Sequence, residues 1–188
     1  MIDRNEGRCF WIGASDTSYV VGNWNTKSFK KWWLEKLDLH RNTLKTKAMM
    51  CGDAFEHKIL KAIPEVTEMD KQIIHEELGL RVNYDGNSAD TIYEVKTHKK
   101  PFKVSKAYWR QAQVEMFAFG TENLYIVSYQ LTDEDYRNYF RPIDLDRLKF
   151  HKVEYDNDFI ANEYLPNLKI LKECMDKGVM PNEAMRAA

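Results

Sequence analysis

A segment running from Asp85 to Lys96 carries the residues with the clearest chemical potential. In it, Asp85-Gly86 is followed by a β-prone run that ends in Glu94-Val95-Lys96. Because side chains alternate along a strand, Glu94 and Lys96 should lie on one face and Val95 on the other. Two carboxylates and an ammonium group suit metal-assisted phosphodiester hydrolysis, with Mg²⁺ bound by the carboxylates. The alternative is an edge strand with ordinary surface charge.

The composition is that of an ordinary globular chain of 188 residues. Hydrophobic residues make up 44% and charged residues 30%, so we expect one domain, residues 1–188, with a substantial core. The net charge of −1 does not by itself indicate a nucleic-acid-binding protein, which usually shows a basic surface. The charge is unevenly distributed, however, and a local basic run follows Lys96: His98, Lys99, Lys100, Lys103 and Lys106.

The sequence indicates neither a cysteine-based metal site nor a membrane segment. The three cysteines, Cys9, Cys51 and Cys174, are far apart, which argues against a disulfide framework, a zinc site and an iron–sulfur cluster. The polar N-terminal residues are not those of a signal peptide, and no run approaches about 18 apolar residues. We therefore expect a cytoplasmic protein with reduced thiols.

Hydrophobic periodicity and turn residues predict a mixture of helices and strands. Helices are predicted over Ser15–Val21 with Ser15 as N-cap, Ser28–Leu39, Thr43–Ala62, Ser105–Gly120 and Asp156–Lys177 with a kink or break at Pro166. Strands are predicted over Val66–Met69, Gln72–His75, Leu80–Asn83, Thr91–Thr97, Leu124–Tyr129 and Phe150–Tyr155. Polar turns are predicted over Glu77–Gly79 and Asp85–Ala89. These elements imply an α+β (mixed α/β) fold with a mostly antiparallel sheet flanked by helices.

Two polar residues on predicted helices are candidates to join the charged segment. Glu56 lies one turn after Gly52 on the same face, and the missing side chain of Gly52 should leave an open patch above the carboxylate. Gln111 lies off the apolar stripe of its helix and shares a face with Tyr108 and Glu115. The alternative for Glu56 is an ordinary solvated side chain.

The order helix Glu, turn Asp, strand Glu-x-Lys and helix Gln resembles the PD-(D/E)XK nuclease superfamily, whose core is restriction-endonuclease-like. More closely, the chain resembles the YqaJ-type viral recombinase group, the bacteriophage lambda exonuclease-like family. The resemblance covers about residues 8–129. Its motifs are Arg8 with Ser15, Cys51-Gly52-Asp53-Ala54-Phe55-Glu56, Asn83-Tyr84-Asp85-Gly86, Glu94-Val95-Lys96 and Tyr108-Trp109-Arg110-Gln111-Ala112-Gln113.

The resemblance implies a metal-binding role for several of these residues. Asp85 and Glu94, with the Val95 carbonyl, would hold a catalytic Mg²⁺, or Mn²⁺ in its place. Glu56 would help to place a second ion or its waters. Asp90 is an alternative to Asp85, which we prefer because Asp85-Gly86 directly follows a strand.

Further roles follow from the same resemblance. Lys96 would act on the attacking water, and Gln111 would support the site by holding Lys96 or a water. Contacts to DNA or to a terminal 5′-phosphate are implied for a set of basic and hydroxyl side chains: Arg8, Ser15, Lys99, Lys100 and Lys103.

The resemblance therefore implies a Mg²⁺-dependent 5′→3′ exonuclease of phage or prophage type that acts on linear duplex DNA. Such an enzyme leaves 3′ single-stranded tails for an annealing protein. A ring-shaped homotrimer is implied as well, with the basic run facing a central channel. An endonuclease of the same fold and a catalytically silent DNA-binding protein are the alternatives.

Overall fold

A single mixed sheet forms the centre of the fold in the computed structural model, which describes residues 9–40 and 46–186. In this part of the chain, five strands lie in the order β1-β2-β3-β4-β5. They are β1 (Glu68–His75), β2 (Leu80–Asn87), β3 (Thr91–His98), β4 (Asn123–Gln130) and β5 (Leu148–Val153). Strands β3 and β4 are parallel, and the other neighbours are antiparallel. The prediction of an α+β fold with a mostly antiparallel sheet is confirmed.

Helices cover the two faces of this sheet. They are α1 (Thr17–Val20), α2 (Lys27–Lys36), α3 (Lys47–Lys61), α4 (Lys106–Phe119) and α5 (Leu165–Asp176). A 3₁₀ turn (Ala14–Asp16) precedes α1, and a π-helical segment (Phe159–Tyr164) precedes α5. Further 3₁₀ helices span Glu76–Leu78, Leu145–Arg147 and Glu183–Arg186. No helix in the described residues is both long enough and apolar enough to cross a membrane.

The alternation of side chains in β3 divides the core into two parts. Ile92 belongs to the larger core, which contains the buried side chains of α2, α4 and α5. Tyr93 and Val95 belong to the smaller core, together with Phe55 and Ile59 of α3. The aromatic side chains of α2, Phe29, Trp32 and Trp33, also lie in the larger core. The alternation expected for this strand is therefore confirmed.

Helix α4 begins and ends as its sequence predicts. The Ser105 hydroxyl accepts a hydrogen bond from the Tyr108 N–H at 3.2 Å, as an N-cap does. The helix ends at Gly120, whose φ of 81° is in the left-handed region that favours glycine. The bounds predicted for this helix are therefore confirmed to within one residue at each end.

Strand β1 is one strand, so the prediction of two separate segments is wrong. The pairs Met69–Gly86 and Lys71–Tyr84 lie on either side of Asp70, whose φ is 57°. Aspartate tolerates this left-handed conformation better than most residues. The polar interruption in the sequence is therefore a local distortion within a continuous strand.

The turn predicted over Asp85–Ala89 is also misplaced. Strand β2 extends to Asn87, so Asp85 and Gly86 are strand residues. A Cβ at Gly86 would lie 2.7 Å from Leu60 Cδ2 and 3.2 Å from Val66 Cγ1. Gly86 is needed here for close packing against α3 and not for a turn.

Two further boundaries differ from their predictions. Strand β5 begins at Leu148 and not at Phe150. Helix α3 begins at Lys47 with Thr46 as N-cap, and the predicted start at Thr43 lies outside the described residues. At Pro166, where the sequence predicts a kink or a break, the helix is continuous, and its backbone changes from π-helical to α-helical at Leu165.

We predict that Gly86→Ala lowers the free energy of unfolding by about 1–3 kcal/mol, because the added methyl group overpacks the contact with α3. Urea denaturation measures the change. The control is the double variant with Leu60→Ala, whose cost should be smaller than the sum of the two single costs. Additive costs would contradict the proposed contact.

Candidate active site

A cleft opens where strands β2 and β3 separate. In the described sheet, the ladder between them consists of two pairs, Gly86–Tyr93 and Asn87–Ile92. Immediately beyond these pairs, Asp85 Oδ2 accepts a hydrogen bond from the Val95 N–H at 2.9 Å. A side-chain carboxylate thus continues the connection where the backbone ladder ends. The following side chains of the two strands line the space between them.

This cleft has a volume of about 320 Å³ and contains four of the five predicted catalytic residues, together with Ser15. Strands β2 and β3 and helix α4 contribute Arg81, Asn83, Asp85, Glu94, Lys96, Gln111 and Glu115. Its remaining walls are Trp11, Gly13, Ala14, Ser15, Asp16, Lys36, Met49 and Asp53. Asp85, Glu94, Lys96, Gln111 and Ser15 therefore share one cleft.

A single amide connects the charged groups of β3 and α4. Lys96 Nζ lies 2.6 Å from Glu94 Oε1 and 3.2 Å from Gln111 Oε1. Gln111 Nε2 donates to Glu94 Oε1 and to Glu115 Oε1, each at 2.7 Å. The Tyr108 ring lies beneath Lys96, with the ammonium 5.1 Å from its centroid. Each polar end of Gln111 is thus held by a charged neighbour.

The electrostatics of this network keep Lys96 charged. Burial alone would lower the pKa of the Lys96 ammonium, but the carboxylates of Glu94, Asp85 and Glu115 outweigh burial and raise that pKa above its usual value. At neutral pH, Lys96 is therefore an ammonium group that donates hydrogen bonds.

Glu115 is a member of the site that sequence reasoning did not include. It is fully buried on α4, and burial together with the neighbouring Glu94 raises its pKa well above the ordinary value. The available signal was its position four residues after Gln111, which places both on one helix face. That pattern did not distinguish a buried acid from a solvated one.

The donor set fits a divalent cation. Among the described residues, Glu94 Oε2 and Glu115 Oε2 are buried and have no hydrogen-bond partner. Asp85 lies in the same cleft and is 6% exposed. Carboxylate oxygens are the ligands preferred by Mg²⁺ and Mn²⁺, and unpartnered buried oxygens are costly unless a cation or donor satisfies them. These residues could hold such an ion.

Glu56 has different neighbours from those expected. The Glu56 carboxylate lies near the side chains of His57 and Asp70. One potential ligand atom from each of the three side chains lies within 4.8 Å of the other two. His57 Nε2 lies 2.9 Å from Asp70 Oδ2. Helix α3 contributes Met49 and Asp53 to the cleft lining. A role of Glu56 in placing a second ion stays a prediction.

The prediction of an open patch above Glu56 is wrong. A Cβ at Gly52 would lie 3.0 Å from Thr97 Oγ1, so the missing side chain permits close approach of α3 to β3.

Asp90 lies in the turn after β2, where its Oδ1 accepts hydrogen bonds from Ser88 Oγ and Thr91 Oγ1. Of Asp85 and Asp90, it is Asp85 that lines the cleft.

The candidate DNA-contacting residues have diverse surroundings. Ser15 is exposed in the 3₁₀ turn and lines the cleft, but it is not the N-cap. That position is Gly13, whose N–H donates to Asp16 Oδ2 at 2.9 Å. Lys99 is paired with Asp133, and Lys100 and Lys103 are exposed. Arg8 lies outside the described residues.

A buried ion pair supports the cleft wall that carries Ser15. Lys36 Nζ lies 2.6 Å from Asp16 Oδ2 and donates to the Trp11 carbonyl at 2.8 Å. Trp32 Nε1 donates to Asp16 Oδ1 at 2.9 Å. Burial acts to raise the pKa of Asp16, but Lys36 and the hydrogen bonds outweigh it and lower that pKa. The 3₁₀ turn is therefore fixed to α2 by satisfied charges.

Two solved exonuclease structures share this fold. An alkaline exonuclease from Laribacter hongkongensis aligns with a TM-score of 0.67 and 22% sequence identity, over 91% of this chain and 90% of that one. A phage-related exonuclease from Haemophilus somnus 129PT aligns with a TM-score of 0.65 and 14% identity, over 89% and 96%. No protein-family model and no curated protein sequence matches the chain. The resemblance stated from the sequence is confirmed at the level of the fold.

We predict that Asp16→Asn lowers the free energy of unfolding at pH 7 by about 3–5 kcal/mol, because it leaves Lys36 buried without its carboxylate. The pKa of Asp16 is lowered in the folded state, so its contribution is complete above the ordinary pKa of about 3.9. It is lost as the pH falls through the lowered folded value.

Urea denaturation between pH 7 and pH 3 measures this dependence. The difference in stability between the natural chain and Asp16→Asn should shrink as the pH falls below about 4. Asp146→Asn, which changes an exposed carboxylate, is the control and should have little effect. A difference that stays constant with pH would contradict the ion-pair account.

Proposed function

We propose that the chain is a Mg²⁺-dependent DNA nuclease that removes nucleotides from the 5′ ends of linear duplex DNA. The observation that carries the proposal is the convergence of Asp85, Glu94, Lys96 and Gln111 in one cleft. The fold supports it, because both solved structures of this fold named above are described as exonucleases. Mn²⁺ is a second cation that the same oxygen ligands would accept.

The proposed ligands of the cation are oxygens at the divergence of β2 and β3. Asp85 and Glu94 would hold it, with the Val95 carbonyl and Glu56 as further proposed ligands. The bound cation would supply Lewis-acid activation of the phosphodiester and of a water molecule. The Val95 N–H orients the Asp85 carboxylate through the 2.9 Å hydrogen bond.

Lys96 would act as a positively charged hydrogen-bond donor. As an ammonium group it can orient the attacking water or stabilise negative charge that develops on the phosphoryl oxygens. Gln111 accepts one of the ammonium's hydrogen bonds and donates to Glu94, which holds the two side chains together. The roles of Lys96 and Gln111 are therefore coupled.

Ser15 is the proposed contact for a terminal 5′-phosphate. Its hydroxyl is exposed on the wall of the cleft that contains Glu94, and a hydroxyl can donate a hydrogen bond to a phosphate oxygen. Arg8 is proposed as a second contact from its place in the sequence motif. Such a pocket would favour substrates with a free 5′ end over closed circles.

The wider assembly is proposed from the resemblance and the charge distribution. Lys99, Lys100 and Lys103 are exposed after β3 and would contact the DNA backbone. A homotrimeric ring would gather three copies of this basic run around a channel, although the net charge of one chain is only −1. The 3′ tails would serve a single-strand annealing protein. The alternative is an endonuclease of the same fold.

We predict that Glu94→Ala and Lys96→Ala each reduce nucleotide release from linear duplex DNA by roughly a thousandfold or more, because each removes a charged group that contacts the reacting centre. Release of acid-soluble nucleotides in Mg²⁺ measures the effect. Lys61→Ala, at an exposed position of α3, is the matched control for loss of a lysine. Normal turnover by the two site variants would refute the site assignment.

We predict that Ser15→Ala narrows the rate difference between 5′-phosphorylated and 5′-hydroxyl duplex ends by about tenfold, since it removes a hydrogen bond to a charged phosphate. Initial rates on the two substrates give the ratio. Ser28→Ala, at an exposed serine of α2, should leave the ratio unchanged. An equal ratio for the natural chain and for Ser15→Ala would contradict the assignment of Ser15 to the phosphate pocket.

A further inference from the structure

Helix α4 buries an acid directly behind the predicted catalytic residues. Glu115 has no exposed surface, and Glu94 is 5% exposed. The Gln111 amide nitrogen lies 2.7 Å from an oxygen of each carboxylate. The two carboxylates are therefore held close together by one neutral donor, which does not neutralise either charge.

The positive charge next to Glu94 and Glu115 does not balance two ionised carboxylates. Lys96 Nζ lies 2.6 Å from Glu94 Oε1. Among the described residues, no other lysine or arginine forms an ion pair with Glu94 or Glu115. Two carboxylates and one ammonium leave an excess of negative charge in a buried place. Burying an ionised carboxylate is costly unless it is paired and hydrogen-bonded.

A comparison with another buried acid of the same cleft makes the deficit clear. Both oxygens of Asp16 are satisfied, by Lys36 and the Gly13 N–H on one side and by Trp32 on the other. Glu94 and Glu115 each keep a buried Oε2 for which no described residue supplies a hydrogen bond. Both residues line the cleft.

We propose that Glu115 binds the divalent cation together with Glu94 and thereby adds a carboxylate to the centre beyond those of the sequence motif. The inference rests on the metal dependence of the proposed function. A divalent cation offsets the excess negative charge, and its preference for oxygen ligands matches the two unpartnered atoms.

The test is binding of Mn²⁺ or Mg²⁺ alone, without DNA, measured by isothermal titration calorimetry. Glu115→Gln is the informative variant, because it keeps the size of the side chain and an oxygen that can accept from Gln111. We expect this variant to bind Mn²⁺ about tenfold more weakly or worse. An affinity and a stoichiometry equal to those of the natural chain would overturn the inference.

The matched control is Asp135→Asn. Asp135 is also fully buried and also has one oxygen without a hydrogen-bond partner among the described residues. It is paired with Arg147 at 2.7 Å and does not line the cleft. Unchanged Mn²⁺ affinity in this variant supports the assignment to Glu115, whereas an equal loss in both variants would contradict it.

Thermal unfolding gives a second measurement that does not depend on activity. In chelator, Glu115→Gln should be at least as stable as the natural chain, because a buried carboxylate has been made neutral. On addition of Mg²⁺, the natural chain should gain more in melting temperature than the variant. Equal gains would count against the inference. Glu115→Asp, which keeps the charge on a shorter side chain, should retain part of the gain.

These measurements separate the inference from the proposed function. Glu115-dependent Mn²⁺ binding by a protein that degrades no DNA would support the inference and contradict the nuclease assignment. Loss of nuclease activity in Glu115→Gln with unchanged Mn²⁺ affinity would overturn the inference. In that case Glu115 would act only by positioning Gln111.

Discussion

The separation of β2 from β3 is the constraint on which the candidate site depends. Two backbone pairs join the strands, and the Asp85 carboxylate then takes the Val95 N–H as the next connection. A continuous ladder would leave no space between the strands. Because it stops, side chains from both strands line a cleft, and Asp85 is fixed at its origin by a hydrogen bond that orients its carboxylate.

Helix α4 completes the site through one neutral side chain. Gln111 accepts from Lys96 and donates to Glu94 and Glu115, so three charged groups depend on the position of one amide. The buried apolar side chains of α4, among them Ala112 and Met116, pack this helix against the core and so place the amide beside β3. The arrangement explains how a lysine that remains protonated can lie beside acids that together favour a divalent cation.

Much of this arrangement could be predicted from local sequence. The alternation in β3 and the capped helix α4 depend on neighbouring residues, so the contact between Glu94 and Lys96 follows from strand geometry. Local sequence predicts a turn at Asp85 because Asp-Gly is typical of turns. In the structure both residues belong to β2, and Gly86 packs closely against α3, which is a tertiary contact that the local sequence does not report. The burial of Glu115 depends on the neighbouring strands and helix, which no local pattern reports.

The most direct test of the central claim follows nucleotide release from linear duplex DNA carrying a label at the 5′ or the 3′ terminus. In Mg²⁺, the account predicts early release of the 5′ label as a mononucleotide, late release of the 3′ label, and no release in chelator. Closed circular duplex should remain intact. Internal cutting of the circle, early release of the 3′ label, or equal degradation in chelator would contradict the account.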